Sequence, residues 1–436
     1  MNYSIVTFGC RVNQADSLDL EEQLLAFGAR PSSVECADVL VVNTCSVTAT
    51  ADQGARQTIR RMARQNPSAR ILVTGCYASR APGDLADLPG VAGIIANDQK
   101  ERVASAVLWH TYAQARGTVA GDLSTAERFG DGDGACGMAI EPGFAGRTAF
   151  TLRVQTGCDE PCAYCIIPST RGTSCSRPVK TVLAEVDRIA RAGFKEIALT
   201  GVHLGSYGRD LTGDAVDLIG LLRCLDRHPS DLHFRISSLE PMDCTPAVVD
   251  FTATSGRFAA HFHLPLQHAS DGLLQAMRRP YTLDAYRRLV DGIRAKMPHA
   301  AIGSDIIVGF PGETEQDVEL LLEYLSGSPL THLHVFPYSD RPGTVAATFS
   351  AKVHGSAIRE RAQRVRAVGS TLATRFKTMQ IGSVHRGLTI EDGSLVMTGN
   401  YLKVRIPPGM NRNEWVDVRV TGIGETMRGE VVRSGQ

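Results

Sequence analysis

Three apolar segments near the start of the chain each lead into a cysteine, and this repeated pattern constrains the fold more than any other feature. The segments are residues 3–10, 38–45 and 70–76. Helical patterns separate them, and strand–helix–strand alternation predicts a parallel sheet. Because ligands of such sheets bind outside the carboxyl ends of the strands, we expect Cys10, Cys45 and Cys76 to converge on one point. Gly9 and Gly75, each just before its cysteine, would let the backbone approach a ligand closely.

A second set of three cysteines lies in one compact loop, Cys158-x-x-x-Cys162-x-x-Cys165. A 4Fe–4S cluster is normally held by four thiolates, so each triad would leave one iron with an open coordination position. A zinc site would want a fourth cysteine or histidine nearby, and the next histidine after Cys165 is His203. The loop therefore predicts a cluster that can bind a substrate or cofactor.

Free cysteines are the alternative for the first triad, because cysteine is often a small buried hydrophobe without a ligand. We interpret four other cysteines in that way: Cys36, Cys136, Cys224 and Cys244. The cysteines of the first triad differ from these four, because each follows a predicted strand at a matched position, which favours a shared ligand.

Length and composition indicate a soluble protein of two to four domains. The chain has 436 residues, of which 43% are hydrophobic and 21% charged. Its start lacks the features of a secretory signal, and no apolar stretch is long enough to span a bilayer. Eleven cysteines without such a signal favour a reducing compartment, and we expect a cytoplasmic protein with no membrane partner.

The predicted fold class is α/β, in four segments. Residues 1–115 form a parallel α/β domain, and the Gly-rich residues 116–147 form a linker. Residues 148–368 hold about six β/α units, as in a parallel partial barrel, whose sites lie at the strand carboxyl ends. Residues 369–436 alternate in short runs and predict a small antiparallel β-barrel.

Charge is distributed unevenly along the chain. Residues 351–436 hold 14 Lys and Arg against 7 Asp and Glu, whereas the first 350 residues hold 32 against 39. This asymmetry favours a polyanion-binding module at the C-terminal end. The alternative is a solvated helix, since several arginines stand close together: Arg359, Arg361, Arg364 and Arg366.

The motifs around both triads resemble one known family. Residues 157–172 are similar to the signature of radical S-adenosylmethionine (SAM) enzymes and, among them, of the methylthiotransferases. Residues 8–17, 43–48 and 74–78 resemble motifs of the same family, and the C-terminal barrel resembles a TRAM domain. Residues 334–344 look most like the branch that acts on threonylcarbamoyladenosine, the modified adenosine next to the tRNA anticodon. Asp340, His268 and Cys175 depart from the family pattern, and the role of Cys175 is open.

The resemblance implies two 4Fe–4S clusters and SAM in two roles. Cys158, Cys162 and Cys165 would bind the catalytic cluster, whose open iron anchors the SAM that is cleaved to a 5′-deoxyadenosyl radical. Cys10, Cys45 and Cys76 would bind an auxiliary cluster that presents sulfur, which a second SAM methylates. The implied partners are the anticodon stem-loop of tRNA, an electron donor such as flavodoxin or ferredoxin, and a sulfur source.

Five residues at predicted strand ends are candidate SAM contacts: Thr200, Gly201, Ser238, Glu240 and Gly309. The glycines would allow close backbone approach, and the others offer polar partners. Ordinary barrel turns and polar pairs of the core are the alternative. Arg171 and Arg177 are candidates to neutralise a phosphate or the SAM carboxylate, with surface ion pairs as the alternative.

Three other functions remain open from the sequence. A methylthiotransferase of this family could act on isopentenyladenosine in tRNA or on an aspartate of a ribosomal protein. An iron–sulfur electron carrier or sensor is an alternative of another class, although it would favour clusters with four cysteines.

Overall fold

The computed structural model describes residues 1–115, 142, 148–212, 216–424 and 426–432. These residues form two units. The first comprises the described residues within 1–140, 156–160 and 165–175, and the second those within 141–155, 161–164 and 176–436. Apart from residue 142, the predicted linker 116–147 lies outside the described residues.

A parallel sheet with helices on both faces forms the first unit. Its strands are β1 (Asn2–Thr7), β2 (Arg30–Pro31), β3 (Val39–Thr44), β4 (Arg70–Gly75) and β5 (Val91–Ile95). They lie in the order β2-β1-β3-β4-β5, and all pairs are parallel. The helices are α1 (Arg11–Ala26), α2 (Ala49–Gln65), α3 (Cys76–Arg80), α4 (Gly83–Ala86), α5 (Arg102–Ala115) and α6 (Ile167–Arg171).

Alternation along the buried strand β3 builds a hydrophobic core on each face of this sheet. Leu40 and Val42 pack with Ile59 of α2 on one face. Val39 and Val41 pack with helices α1 and α5 on the other face. Because successive side chains of a strand point to opposite faces, an almost continuous apolar run serves both cores. The predicted parallel α/β domain is confirmed.

The second unit begins with parallel strands and helices in alternation. Its strands are β6 (Phe150–Arg153), β9 (Glu196–Thr200), β10 (His233–Ile236), β11 (His261–His263), β12 (Ala301–Val308) and β13 (His332–Pro337), with two short strands, β7 (Gln155–Thr156) and β8 (Cys175–Ser176), between β6 and β9 in the chain. The helices are α7 (Val179–Arg191), α8 (Leu218–Asp226), α9 (Pro246–Thr254), α10 (Asp271–Ala276), α11 (Leu283–Lys296), α12 (Glu315–Gly327) and α13 (Gly355–Met379).

Six of these strands form an open parallel arc. Three lie in the order β10-β9-β6 and three in the order β11-β12-β13. A parallel bridge between Ser238 and His263 joins the two groups. This arrangement confirms the predicted partial barrel, and it brings the carboxyl ends of the strands to one rim.

A closed barrel of five strands follows. Its strands are β14 (Val384–Ile390), β15 (Leu395–Thr398), β16 (Lys403–Arg405), β17 (Trp415–Gly422) and β18 (Met427–Val432), in the order β14-β15-β16-β18-β17. The interior is apolar and includes Val404, Val418 and Met427. The barrel was predicted as antiparallel, but the β16–β18 pair is parallel. Strand direction cannot alternate around a closed ring with an odd number of strands, so one pair must be parallel.

Helix α13 extends past residue 369, where the C-terminal barrel segment was predicted to begin. The sequence placed the change at Gly369, yet Gly369 lies inside α13 and the first barrel strand begins at Val384. A Cβ atom on Gly369 would lie 3.4 Å from Leu333 of β13. The glycine therefore lies where the helix packs on the strand, rather than at the end of the helix.

Two arginines of α13 pair with acidic residues of α12 and of the turn before it. Arg364 pairs with Glu315 and Glu319, and Arg361 pairs with Glu313 at 2.8 Å. These contacts support the interpretation of this segment as a helix with paired charges. Within the part of the chain that the structure describes, no helix is both long and apolar enough to cross a membrane.

Candidate functional site

The first cysteine triad lies at one edge of the parallel sheet. Cys45 directly follows β3, Cys76 directly follows β4, and Cys10 lies three residues after β1 as the N-cap of α1. Strands β1, β3 and β4 are neighbours, so the carboxyl ends of three adjacent parallel strands carry the three thiols. The structure thus brings these cysteines together as the sequence predicted, and their role as ligands stays a prediction.

Gly9 and Gly75 serve the packing of this edge. Both have positive φ, 90° and 98°. A Cβ atom on Gly9 would lie 2.6 Å from the Cys45 side chain, and one on Gly75 would lie 2.3 Å from the Thr44 carbonyl oxygen. The close approach that these glycines permit is therefore between neighbouring segments of the protein chain at this edge.

Two buried cations and one buried carboxylate adjoin the triad. Arg171 donates to Asp16 at 2.9 Å and to Asn13, and Lys100 donates to Asp16 at 2.5 Å. The side chains of Arg171 and Asp16 are 3% and 1% exposed. Both Cys10 and Cys76 act electrostatically on Arg171. With two cations against one carboxylate, these three residues leave one positive charge beside the thiols.

Asparagines fix the geometry of the same edge. Asn13 donates to the Phe8 and Thr44 carbonyls, both at 2.9 Å. Asn97 donates to Cys76 Sγ at 3.5 Å and accepts from Lys100 at 3.2 Å. Asn13 lies within the motif of residues 8–17 but was not singled out from the sequence. Asn97 and Lys100 were missed. No local pattern marks the latter two, because they lie more than 20 residues beyond the last cysteine of the triad.

Burial raises the pKa of the Cys45 thiol to about 11, and the neighbouring Cys10 and Cys76 contribute to the rise. Metals bind the thiolate form. Metal binding at Cys45 would therefore release a proton, and the buried cations nearby compensate for the negative charge that forms.

Two of the loop cysteines, Cys158 and Cys165, belong to the first unit. The Cys158 amide donates to the Gly172 carbonyl at 3.1 Å, and Cys165 Sγ accepts from the Ile167 amide at 3.5 Å. A Cβ atom on Gly157 would lie 1.9 Å from the Thr173 carbonyl oxygen, so only glycine fits before Cys158. The segment that follows Cys165 forms α6, which carries Arg171 to the first triad.

The third loop cysteine, Cys162, belongs to the second unit. Its Sγ atom accepts a hydrogen bond from Arg279 Nη1 at 3.0 Å. The neighbouring Ala163 is held on both sides: its amide donates to the Met277 carbonyl at 3.0 Å, and its carbonyl accepts from the Ala346 amide at 2.7 Å. Backbone bonds from two distant segments thus fix this part of the loop.

The predicted SAM contacts all lie at or just beyond the carboxyl ends of barrel strands. Thr200 ends β9, Ser238 lies two residues after β10, and Gly309 follows β12. Glu240 pairs with Arg279. Their role in cofactor binding stays a prediction.

The two glycines among them face protein atoms. A Cβ atom on Gly201 would lie 2.9 Å from Gln155 Oε1, and one on Gly309 would lie 2.4 Å from Ile358 of α13. The space that each glycine leaves on its Cβ side is therefore filled by another side chain of the second unit.

A histidine–aspartate cluster on the barrel strands was missed by sequence reasoning. His263 of β11 and His334 of β13 both contact Asp305 Oδ1 of β12, at 2.8 and 3.1 Å. Helix α13 packs on Leu333, so His334, the next residue of β13, points to the opposite, inner face of the arc. The alternating histidines of the segments His261–His263 and His332–Pro337 were the available signal.

The geometry of the first triad differs from that of a single-ion site. Three sulfur ligands of one tetrahedral zinc ion lie roughly 3.8 Å apart, given a Zn–S distance of about 2.3 Å. Among the described residues, the group whose three candidate ligand atoms lie within 4.8 Å of one another is His263, Asp305 and His334. The Sγ atoms of Cys10, Cys45 and Cys76 do not meet this limit, which fits a larger cluster better than zinc. Outside the two triads, Cys36 and Cys175 are exposed and Cys244 is buried, so the interpretation as a small buried hydrophobe is wrong for Cys36.

Comparison with protein families gives two matches on this chain. Residues 2–96 match the family described as "Uncharacterized protein family UPF0004". Residues 152–325 match the "Radical SAM superfamily". The first match covers the parallel sheet with Cys10, Cys45 and Cys76, and the second covers the cysteine loop and most of the partial barrel.

The chain is similar to three kinds of curated protein over most of its length. The threonylcarbamoyladenosine tRNA methylthiotransferase MtaB of Bacillus subtilis (strain 168) is 34% identical over 91% of this chain and 88% of the relative. The tRNA-2-methylthio-N(6)-dimethylallyladenosine synthase of Sphingopyxis alaskensis is 31% identical over 98% and 96%. The ribosomal protein uS12 methylthiotransferase RimO of Salinispora arenicola is 32% identical over 89% and 84%.

Among solved structures, a radical S-adenosylmethionine methyltransferase from Kitasatospora setae, TsrM, has a similar fold. The TM-score is 0.54 with 15% sequence identity, over 79% of this chain and 73% of the other. That structure has cobalamin and a 4Fe–4S cluster bound. At this identity the likeness concerns the fold alone.

Proposed function

This chain belongs to the radical SAM methylthiotransferases of the MtaB type, and we propose that it places a methylthio group on C2 of the threonylcarbamoyladenosine next to the tRNA anticodon. The observation that carries the choice of substrate is the 34% identity to the B. subtilis threonylcarbamoyladenosine enzyme over 88% of that protein. Membership of an enzyme family also argues against the electron-carrier and sensor interpretations.

The loop cysteines suit the 4Fe–4S cluster that the radical SAM family implies. Cys158, Cys162 and Cys165 supply three thiolates, and backbone bonds on each side hold the loop in place. When bound, the cluster and SAM supply a one-electron route to breaking an unactivated aromatic C–H bond. The residues of the chain bind and orient the reactants and exclude water.

A second cluster at Cys10, Cys45 and Cys76 is the next part of the proposal. An oxidised 4Fe–4S core bound by three thiolates carries one net negative charge. The buried residues beside the triad, Arg171 and Lys100 against Asp16, leave one positive charge. Buried charge is costly unless it is paired. This balance supports an anionic cluster over three inert thiols, and the site would hold the sulfur that is transferred.

The polar inner face of the barrel supports a polar substrate. A threonylcarbamoyl group carries a carboxylate, a hydroxyl and urea-type N–H groups, whereas the isopentenyl group is a hydrocarbon. His263, Asp305 and His334 present hydrogen-bonding groups on this face. These groups pair with one another, and a threonylcarbamoyl group could add hydrogen bonds to them that a hydrocarbon cannot make. We therefore prefer threonylcarbamoyladenosine over isopentenyladenosine.

The C-terminal barrel offers a basic face for tRNA. Lys403 and Arg405 are exposed on β16, and Arg428 is exposed on the adjacent β18, opposite Arg405. Clustered cations bind the phosphate backbone with little regard to sequence. We propose that this barrel acts as a TRAM-type RNA-binding module in the cytoplasm, and that an electron donor such as flavodoxin or ferredoxin and a sulfur source complete the reaction.

Nucleoside mass spectrometry of tRNA tests the substrate. Cells without the gene should lose 2-methylthio-threonylcarbamoyladenosine and regain it with the wild-type gene. Loss of the isopentenyladenosine product instead, or loss of methylthio-aspartate from ribosomal protein uS12, would replace the proposed substrate by one of the alternatives. The tRNA digest reports both nucleosides, and peptide mass spectrometry of uS12 from the same cells reports the aspartate, so the two measurements together select one substrate.

Triple replacement of each triad by Ala tests the two clusters. Wild-type protein reconstituted without oxygen should hold roughly eight irons, and each triple variant roughly half as many.

The loop variant should lose reductive cleavage of SAM to 5′-deoxyadenosine, because no iron remains to anchor SAM. The variant of Cys10, Cys45 and Cys76 should keep that cleavage and make no methylthio product. A methylthio product from this second variant would show that its cysteines only pack the core. Replacement of the exposed Cys36 and Cys175 by Ala is the matched control and should change neither readout.

A further inference from the structure

Arg279 is a buried cation that contacts a ligand of the loop cluster and has no role in the function derived so far. It lies in the turn after α10, and its side chain is 1% exposed. Arginine stays protonated in proteins. A permanent positive charge is therefore fixed next to a thiolate whose iron must accept an electron.

Three contacts determine the orientation of its guanidinium group. Nη1 donates to Cys162 Sγ at 3.0 Å, Nη2 donates to Glu240, and Nε donates to the Tyr281 hydroxyl at 3.0 Å. That hydroxyl in turn donates to the Pro265 carbonyl at 2.7 Å. All of these residues belong to the second unit. The N–H bond toward the sulfur is thus aimed by a carboxylate on one side and a phenol on the other.

Hydrogen bonds to cluster sulfurs and the net charge around a cluster set its reduction potential. Reduction adds one negative charge, and a cation at hydrogen-bonding distance stabilises that charge more than the oxidised form. Exclusion of water strengthens the effect because it lowers the local dielectric constant. The Glu240 carboxylate acts in the opposite sense, since it faces the same cation from the other side.

We propose that Arg279 is a positioning residue that raises the reduction potential of the loop cluster through its hydrogen bond to Cys162, and that Glu240 sets the size of this effect by partly neutralising the guanidinium. The proposal rests on membership of the radical SAM family alone and holds for any substrate of the enzyme. Its function would be to let a weak biological reductant reduce the cluster.

Redox titration of the reconstituted full-length protein, followed by electron paramagnetic resonance (EPR), tests the proposal. The signal of the loop cluster is identified as the one that changes when SAM is added, and the potential is then measured without SAM. In Arg279→Gln we expect an about tenfold lower ratio of reduced to oxidised cluster at a fixed potential, which is about 59 mV for a one-electron couple. Arg279→Lys keeps the charge and should stay closer to wild type. Glu240→Gln should shift the potential upward.

Arg278→Gln is the matched control. Arg278 is the neighbouring arginine and is exposed, so this change removes the same charge from the surface and should leave the potential at the wild-type value. A structural role of Arg279 would lower iron content or thermal stability without shifts of opposite sign in the Arg279 and Glu240 variants. Wild-type potentials in Arg279→Gln and Glu240→Gln would overturn the proposal. If Arg279→Gln loses its cluster, wild-type potentials in both Arg279→Lys and Glu240→Gln would overturn it equally.

Discussion

Arg171 connects two parts of the sequence that no local pattern relates. It lies on α6, just after the cysteine loop, and its guanidinium donates to Asp16 at 2.9 Å and to Asn13, both on α1. The sequence suggested a phosphate or SAM carboxylate as its partner. Its burial against Asp16 instead makes it a counter-charge for the first triad. Residue type and motif identified Arg171 as notable, but only the fold identified its partner.

Replacement of Arg171 by Gln should destabilise the first unit. The change removes the buried hydrogen bonds from Arg171 to Asp16 and Asn13. Because Asp16 keeps Lys100 as a partner, we expect a cost of about 2 kcal/mol, as for hydrogen bonds to charged groups. We expect a lower urea midpoint and less iron at the Cys10, Cys45 and Cys76 site. The exposed Arg60 of α2 provides the control, since Arg60→Gln removes an equal charge from the surface.

A double-mutant cycle separates the ion pair from other effects of the change. In Asp16→Asn with Arg171→Gln, neither buried charge of the pair remains, so the cost should be smaller than the sum of the single changes. Strict additivity of the two changes would contradict direct coupling between Asp16 and Arg171.

At the scale of elements, the sequence predicted what depends on local periodicity. The apolar periodicity of residues 51–65 and 315–325 predicts two helices, and the structure has them at Ala49–Gln65 (α2) and Glu315–Gly327 (α12). Features that depend on contacts between residues far apart in the chain were harder to predict from the sequence. The barrel segment was predicted to start at Gly369, yet Gly369 lies within α13, and its contact with Leu333 arises only after β13 and α13 have packed. The parallel β16–β18 pair likewise follows from closure of the barrel.

The C-terminal barrel allows a test of tRNA binding by one face. Simultaneous replacement of Lys403, Arg405 and Arg428 by Gln should raise the Kd for tRNA about tenfold or more at physiological salt. The slope of log K against log salt should fall by about 2 to 3, because each phosphate contact contributes roughly 0.7–0.9. Fluorescence anisotropy with labelled anticodon stem-loop RNA at several salt concentrations measures both quantities.

A second set of cations provides the control for this face. Arg223, Arg288 and Lys296 are exposed on α8 and α11, away from the barrel strands. Their replacement by Gln removes the same total charge and should leave the salt slope nearly unchanged. Equal losses of affinity in both triple variants would indicate that overall charge, rather than this face, attracts the RNA.

At the scale of the whole molecule, buried neutral histidines make the stability dependent on pH. Burial is the main cause that lowers the pKa of His233, His268 and His332, each from 6.5 to about 4. Between these values the unfolded chain binds more protons than the folded one. The stability that these residues contribute is therefore complete above about pH 6.5 and is lost as the pH falls toward 4.

We expect the free energy of unfolding to fall by up to about 4 kcal/mol per pH unit near pH 5 from these three groups, at about 1.4 kcal/mol per proton. His268 isolates one contribution. It is fully buried, its Nδ1 accepts from the Ser270 amide at 3.0 Å, and Glu313 lies 3.6 Å from its Nε2. His268→Asn keeps an acceptor for the amide and should reduce the slope by about 1.4 kcal/mol per pH unit. Urea unfolding between pH 4.5 and 7 measures the slope of the free energy of unfolding against pH. An unchanged slope in the variant would mean that His268 is already protonated in the folded state.

The first unit is completed by a piece of chain that is synthesised late. Residues 1–115 begin this unit, and residues 165–175 finish it. At a translation rate of roughly 5–20 residues per second, about 3 to 12 seconds pass between the synthesis of residue 115 and that of residue 175. During this interval Asp16 has Lys100 but not Arg171, and the cysteine edge of the sheet lacks α6. The first unit therefore cannot be complete before residue 175 has been synthesised. A gene split after residue 115 would encode a unit that lacks α6.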